Sequence, residues 1–321
     1  MATFNLTERA ELSRRLAWGL TIGKLVVSAA LLVYVVSGID RRIFGGLADS
    51  LQAHATPFAL LLFGGIFVLG ALRWQRLTAL AGTTTSFADA LSLTWIGHFF
   101  NQLLPTSMGG DAVRAWYARN ASTDLTRAAA VVLCDRVIGV CVLAMIIAVL
   151  LPAIWNASRR ADLLVVLALA VACLLAAALL VAARPWFARR RGLGLLASCA
   201  QFLRDALRDR RAAAWLLGTT ALAHAFSALV GYLFIASFWP QAPLLECCVF
   251  FLTALLVSTV PVSYAGWGLR EATVVYFLRA AGVEPGVAFT TSVSFGILLA
   301  VASLPGAFFW AARRAHTISA R

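Results

Sequence analysis

Apolar runs long enough to cross a bilayer recur along this chain, and polar residues punctuate them at regular points. Residues 16–37, 55–72, 128–151, 161–183, 213–238 and 285–311 each come close to the length that a hydrocarbon core requires, about 20 apolar residues. Two further apolar stretches stop short. Residues 87–104 carry Gly97, His98, Asn101 and Gln102, end at a break over 105–110, and resume as a helix over 111–121. Residues 244–260 end at a second break, 261–268, and resume as a helix over 269–281. The breaks are copies of each other. Pro105-Thr-Ser-Met-Gly-Gly-Asp-Ala-Val-Arg114 aligns without a gap on Pro261-Val-Ser-Tyr-Ala-Gly-Trp-Gly-Leu-Arg270, with Pro, Ser, Gly and Arg at matching offsets. Pro and Gly interrupt helices. Interrupted backbone beside a charge is tolerated at membrane depth only where protein or a watery cavity surrounds it.

Charge orients these segments. Basic residues gather at the N-terminus (Arg9, Arg14, Arg15), at 73–76, over 184–211 and at Arg313 and Arg314. Such clusters mark the cytoplasmic side. With those four points inside, 87–121 leaves by the face it entered, and 244–281 does the same from the opposite face. Arg159 and Arg160 fall in a loop this scheme places outside; the larger basic block at 184–211 outweighs them. The prediction is an all-α polytopic membrane protein forming one domain over 1–321. It has six full spans plus two broken, re-entrant helical hairpins in an inverted-topology repeat, 1–151 and 161–311. Residues 184–211 form a cytoplasmic basic amphipathic connector between the halves. Both termini are expected in the cytoplasm.

Composition narrows the function classes. Of 321 residues, 61% are hydrophobic and 13% charged, and the mean hydropathy is +0.86. That leaves no polar block large enough for a soluble catalytic domain. The net charge of +13 would suggest nucleic acid in a soluble protein. Here the arginines sit between apolar runs, so no nucleic-acid partner is expected, and they read as orientation signals that meet anionic lipid headgroups at the cytoplasmic face. The six cysteines and four histidines show no metal-ligand spacing. No metal and no cofactor are therefore expected. A nucleotide-binding P-loop is absent, and no nucleophile–base arrangement marks an enzyme.

The candidate chemistry is concentrated at the breaks. Arg114 and Arg270 hold equivalent places after them. A guanidinium fork suits phosphate oxygens, and a helix that starts after a Gly-rich break offers free N–H groups to an anion. Internal pairing is the competing reading: Asp111 lies one helical turn before Arg114, and Glu271 can pair with an arginine across the bundle. Asp135 and Arg136 sit inside an apolar span and point about 100° apart on a helix, so each is expected to meet a partner on a hairpin; the competing reading places them near the interface, where they hold the bundle together. Asn101 satisfies backbone groups freed by the break, with ligand contact as the lesser role. Pro105, Gly109, Gly110, Pro261, Gly266 and Gly268 are the structural breaks. Tyr264 and Trp267 read as packing or interface residues.

Together, Asn101-Gln-Leu-Leu-Pro105, Gly109-Gly-Asp111, Arg114, Asp135-Arg136, Pro261 and Gly266-Trp-Gly268-Leu-Arg270-Glu271 resemble the lysylphosphatidylglycerol synthase transmembrane-region family. These are bacterial and archaeal flippase-like membrane proteins, among them the translocating half of the multiple peptide resistance factor. The resemblance implies a location in a bacterial plasma (inner) membrane. It also implies a membrane lipid substrate, with Asp111, Arg114, Asp135, Arg136, Arg270 and Glu271 at matching motif positions. Family members often carry Glu where this chain has Asp135. No aminoacyl-transferase domain follows, so lipid aminoacylation is not implied. The expected function is a lipid flippase or transporter. It would move an amphipathic, phosphate-bearing lipid between leaflets by alternating access at a cavity between the two hairpins. The alternative is a membrane-embedded accessory subunit, or an enzyme, of lipid or glycolipid modification, with a lipid-modifying enzyme as a possible partner.

Overall fold

The computed structural model describes residues 55–104, 109–119, 124–155, 160–190, 192–260, 263 and 266–319, with helical backbone at 22, 26, 28–30, 32 and 33. Among the described residues every regular element is a helix. In order the α-helices are α1 (Ala55–Leu80), α2 (Phe87–Leu103), α3 (Gly109–Ala118), α4 (Leu125–Leu150), α5 (Arg160–Ala182), α6 (Arg184–Arg189), α7 (Gly194–Arg208), α8 (Arg210–Phe238), α9 (Leu244–Ser258), α10 (Leu269–Ala280), α11 (Pro285–Ser303) and α12 (Pro305–Ser319), with a 3-10 turn, Leu151–Ile154, continuing α4. Five stretches are long and apolar enough to cross a membrane: Ala55–Leu80, Leu125–Ile154, Asp162–Ala182, Arg210–Phe238 and Pro285–Arg313. The chain is an all-α polytopic membrane protein. Most of the expected first span, 16–37, lies outside the described residues, as do the polar lead 1–15, the loop 38–54, Pro105 and Pro261.

Three boundaries differ from the sequence reading, each for a physical reason. Helix α1 does not stop before Arg73 but continues to Leu80. Partners on two other helices receive the Arg73 guanidinium, so its charge does not force the helix to end. The last span is two helices, because Pro305 opens a new helix, α12, straight after α11. Proline has no N–H to continue the ladder and fits the first helical turn. The basic connector is also two helices, and α7 does more than lie on a leaflet. Its Cys199, Phe202, Leu203 and Ala206 are buried in the same core cluster as Cys134 and Ile138 of α4.

Helices α1 and α8 pack antiparallel at the centre of the bundle. Gly65 lets the Phe226 ring approach the α1 backbone. Further along the seam Arg73 bonds Thr220, and at its end Arg76 pairs with Asp209 at 2.8 Å. Asp209 caps α8, accepting from the Arg211 and Ala212 N–H groups. Those two amides, Ala212 first, together with Arg76 hold its carboxyl below the usual carboxylate range. The hairpins are inserted around this pair: α2–α3 packs on α11, α12 and α4, and α9–α10 packs on α4, α8 and α11. An edge-to-face series, Phe63–Phe295 at 5.1 Å and Phe295–Phe251 at 5.2 Å, ties α1, α11 and α9 together.

The α2–α12 contact depends on a glycine. A Cβ on Gly306 would run into the Trp95 carbonyl oxygen, whereas a Cβ on Gly218 in α8 would meet nothing within 4 Å. Gly306→Ala is expected to destabilise the protein by about 1–3 kcal/mol, the usual cost of overpacking. Gly218→Ala is expected to leave stability unchanged or raise it by up to about 1 kcal/mol. Thermal melts of the detergent-solubilised variants check the contrast.

Candidate functional site

The first break is closed by side-chain and backbone contacts rather than by a continuous helix. Asn101 Oδ1 accepts from the Gly110 N–H at 2.8 Å, so it satisfies a backbone group that the interruption frees. Gly110 lies so close to α2 that a Cβ there would collide with the Gly97 carbonyl oxygen. Gly109 and Gly110 open α3, and that helix carries Asp111 and Arg114 into the bundle, where both are buried.

Asp111 and Arg114 meet the charges of α4 and α1. Arg136 Nε donates to Asp111 Oδ2 at 2.6 Å. Asp135 is buried between two guanidiniums, with Arg73 Nε at 2.5 Å on one carboxylate oxygen and Arg114 Nη1 at 3.2 Å on the other. Arg114 Nη1 also lies 3.8 Å from Asp111 Oδ1. Arg73 donates a further bond to Thr220 Oγ1 at 3.2 Å, and the Arg114 guanidinium stacks 4.2 Å over the Trp74 ring. Among the described residues these three arginines share two buried carboxylates, with the Arg136 side chain partly exposed. Arg114 Nε and Asp111 Oδ1 are buried and make no hydrogen bond. Asp135 is ten residues into α4, about 15 Å from the helix start, so the cluster sits well inside the bundle.

The second break builds a smaller, local cluster. Gly266 and Gly268 adopt φ of 85° and 84°, a region that glycine enters without strain. Glu271, in the first turn of α10, reaches back so that its Oε2 accepts from the Gly268 N–H at 2.6 Å, as a capping-box glutamate does. Its Oε1 accepts from Arg270 Nη2 at 2.6 Å and Nε at 3.0 Å, and from the Ser292 hydroxyl at 3.1 Å. The expected pairing of Glu271 with an arginine across the bundle is thus corrected: its partner is its own chain neighbour. The carboxylate is held at the helix start by the Gly268 amide, and there Arg270 can fold onto it. Trp267 lies under the Arg270 guanidinium at 4.8 Å. One cation meets one anion, and both are buried.

Each hairpin arginine rests on a glycine. A Cβ at Gly97 would strike the Arg114 stem, and a Cβ at Gly296 would strike the Arg270 guanidinium. The two clusters occupy different levels. Arg73 belongs to the first, while Phe63 touches Phe295, the residue before Gly296. Ten residues of α1 separate these points, about 15 Å along the helix. Phe67 lies between them, packed on His98 at 4.4 Å and Trp95 at 5.6 Å. Among the described residues no ion pair joins Arg114 to the Arg270–Glu271 pair.

Sequence reasoning missed Arg73, Trp74, Thr220, Ser292 and the two glycines. For Arg73 a signal existed, since apolar periodicity resumes beyond it through Leu77 and Leu80. Thr220 and Ser292 carried none, because a hydroxyl on an apolar helix usually bonds its own backbone.

A family model described as the lysylphosphatidylglycerol synthase TM region matches residues 21–306, which include both hairpins and both clusters. No curated protein and no solved structure matches the chain.

Asp135→Asn would take from Arg73 the carboxylate it bonds and leave Arg114 with the longer Asp111 contact at 3.8 Å. The expected cost is about 3–5 kcal/mol, the range for breaking a buried pair. Asp89→Asn, at the largely exposed Arg313 pair, should cost no more than about 1 kcal/mol. Comparing melting temperatures and folded yield of the two variants tests whether the Asp135 network holds the bundle.

Proposed function

The chain belongs to the lysylphosphatidylglycerol synthase transmembrane-region family, and from that premise we propose that it moves an amphipathic, phosphate-bearing lipid between the leaflets of a bacterial plasma membrane. The observation that carries this reading is the charge array at the first break, where, among the described residues, Arg73, Arg114 and Arg136 share the buried carboxylates Asp111 and Asp135. A membrane protein keeps such an array at a cost, because each charge loses its hydration. The array is worth keeping where its arginines exchange partners. A phosphate offers the same oxygen geometry to a guanidinium fork as Asp111 and Asp135 do. In the described state the carboxylates occupy the forks; in the loaded state the headgroup takes their place, while the acyl chains remain in lipid.

The two-level arrangement supports alternating access. In this reading 1–151 and 161–311 are inverted halves. Reciprocal packing favours it: α1 lies against its counterpart α8, α2 against α11, and α9 against α4. The Arg114 cluster then serves the Arg-rich cytoplasmic face and the Arg270 cluster the opposite face. Phe63, Phe67 and Phe295 separate them, and rocking of the halves passes the headgroup from one cluster to the other.

A liposome assay tests the proposal. Purified protein is reconstituted with headgroup-labelled phosphatidylglycerol, and label reaching a membrane-impermeant reductant is followed in time. Arg114→Lys and Arg270→Lys keep the charge but lose the fork, and each should slow exchange at least about tenfold, the worth of one charge-assisted hydrogen bond. Recovered lipid should be chemically unchanged. Exchange at the wild-type rate in both correctly inserted lysine variants, or recovery of a chemically altered lipid, would overturn the reading.

A further inference from the structure

The arginines of the two clusters, and those of the helix seams, are committed to carboxylates: Arg73, Arg76, Arg114, Arg136, Arg270 and Arg313 each have one. Arg127 and Arg184 do not. Among the described residues neither forms an ion pair, yet both line one cavity of about 410 Å³. Arg184 Nε is buried there without a hydrogen bond. Thr126 and Ser198 add hydroxyls to the wall. Asp124 is the one carboxylate in the lining, and its Oδ1 caps α4 through the Arg127 N–H at 2.7 Å. Gln201 also faces the cavity, with its amide already donated to Asp205. Two guanidiniums against one engaged carboxylate leave the cavity positive. A partly buried guanidinium without a counter-ion is an uncompensated cost that an anion would relieve.

The level of the cavity narrows the anion. Arg127 stands in the first turn of α4, and Arg184 comes two residues after the span that ends at Ala182. Two spans end at this level, so the cavity sits where hydrocarbon gives way to headgroups. Helix α6 presents an exposed Trp186 beside Arg189 and Arg190, the residue types that anchor at that boundary. Helix α7, which lines the cavity through Ala197, Ser198, Gln201 and Phe202, also buries Cys199 in the same core cluster as Cys134 of α4.

We propose that this cavity is a phosphate site separate from both hairpin clusters, filled by the phosphate of an anionic lipid headgroup or of a soluble phosphate ester. An occupant bridges Arg127, on the last helix of the first half, to Arg184 and Ser198 on the connector. Occupancy therefore stiffens the joint between the halves.

The test follows the melting temperature of the full-length protein in detergent. One arm titrates sodium phosphate against sodium chloride at equal ionic strength. The other titrates mixed micelles containing phosphatidic acid against diacylglycerol, which lacks the phosphate. The wild type should melt higher in at least one phosphate arm and in neither control. A response to phosphatidic acid alone identifies a lipid headgroup; a response to sodium phosphate as well identifies the free group. Arg127→Gln/Arg184→Gln should raise the apparent Kd at least about tenfold, the loss expected for one guanidinium fork. Arg189→Gln/Arg190→Gln, outside the cavity, and Arg270→Lys, at the second hairpin, should both keep the response. No response in either arm, an undiminished response in the Arg127/Arg184 variant, or loss of response in either of the other two would overturn the proposal. The Arg270→Lys result separates this site from the transport pathway, because that variant should be slowed in transport while still responding here.

Discussion

The bundle depends on one carboxylate. Asp135 stands between Arg73 and Arg114, and through them it connects α1, α3 and α4. Helix α3 has ten residues, too few to be stable alone. It stays in place because both of its charged residues are engaged by α4, and because Asn101 and Gly97 of α2 close over its first turn. The energetics of a buried pair are asymmetric. Keeping it adds little net stability, but removing one member strands a charge in a low-dielectric interior. The array therefore acts as a constraint on which conformations are allowed: every one must supply these arginines with oxygens.

The two hairpins meet that constraint differently. In the first, the counter-charges of the α3 residues come chiefly from α4, with Arg73 of α1 joining at Asp135, so the hairpin cannot shift without breaking bonds to other helices. In the second, Glu271 and Arg270 are chain neighbours, the Gly268 amide of the same hairpin also bonds Glu271, and among the described residues Ser292 is the hydrogen-bond partner their side chains find on another helix. That hairpin carries a neutral charge pair within itself. One half resists displacement by bonding across helices, and the other holds its charges locally.

Much of this was legible in the chain. The apolar runs located the helices, and the repeated Pro-Gly-Arg pattern located both interruptions. Asn101 could be read as a backbone partner because it precedes a break. What the sequence withheld was depth. Arg73 looked like the end of a span because arginine in an apolar run is normally an interface marker; its partners Asp135 and Thr220 lie far away in sequence. Glu271 failed in the opposite direction. A long-range partner was expected, but the positive φ at Gly268 turns the backbone so that a local one is within reach. The division at Pro305 was readable from the proline itself, and the continuous hydropathy across it concealed the break. Most of 16–37 falls outside the described residues, as do Pro105 and Pro261, but the backbone described at 22, 26, 28–30, 32 and 33 is helical.

Gly97 and Gly296 carry a consequence for how such chains can diverge. At position 97 an added methyl would meet the Cγ and Cδ methylenes of Arg114, which a lysine also has. At position 296 the three nearest atoms it would meet all belong to the guanidinium head of Arg270, where a shorter side chain would not reach. The two seats should therefore covary differently with their arginines. Position 296 is free to enlarge in step with a change at 270, whereas position 97 stays glycine under any long side chain at 114. An alignment deep enough to resolve those two column pairs would record the shape of each seat without a ligand in view.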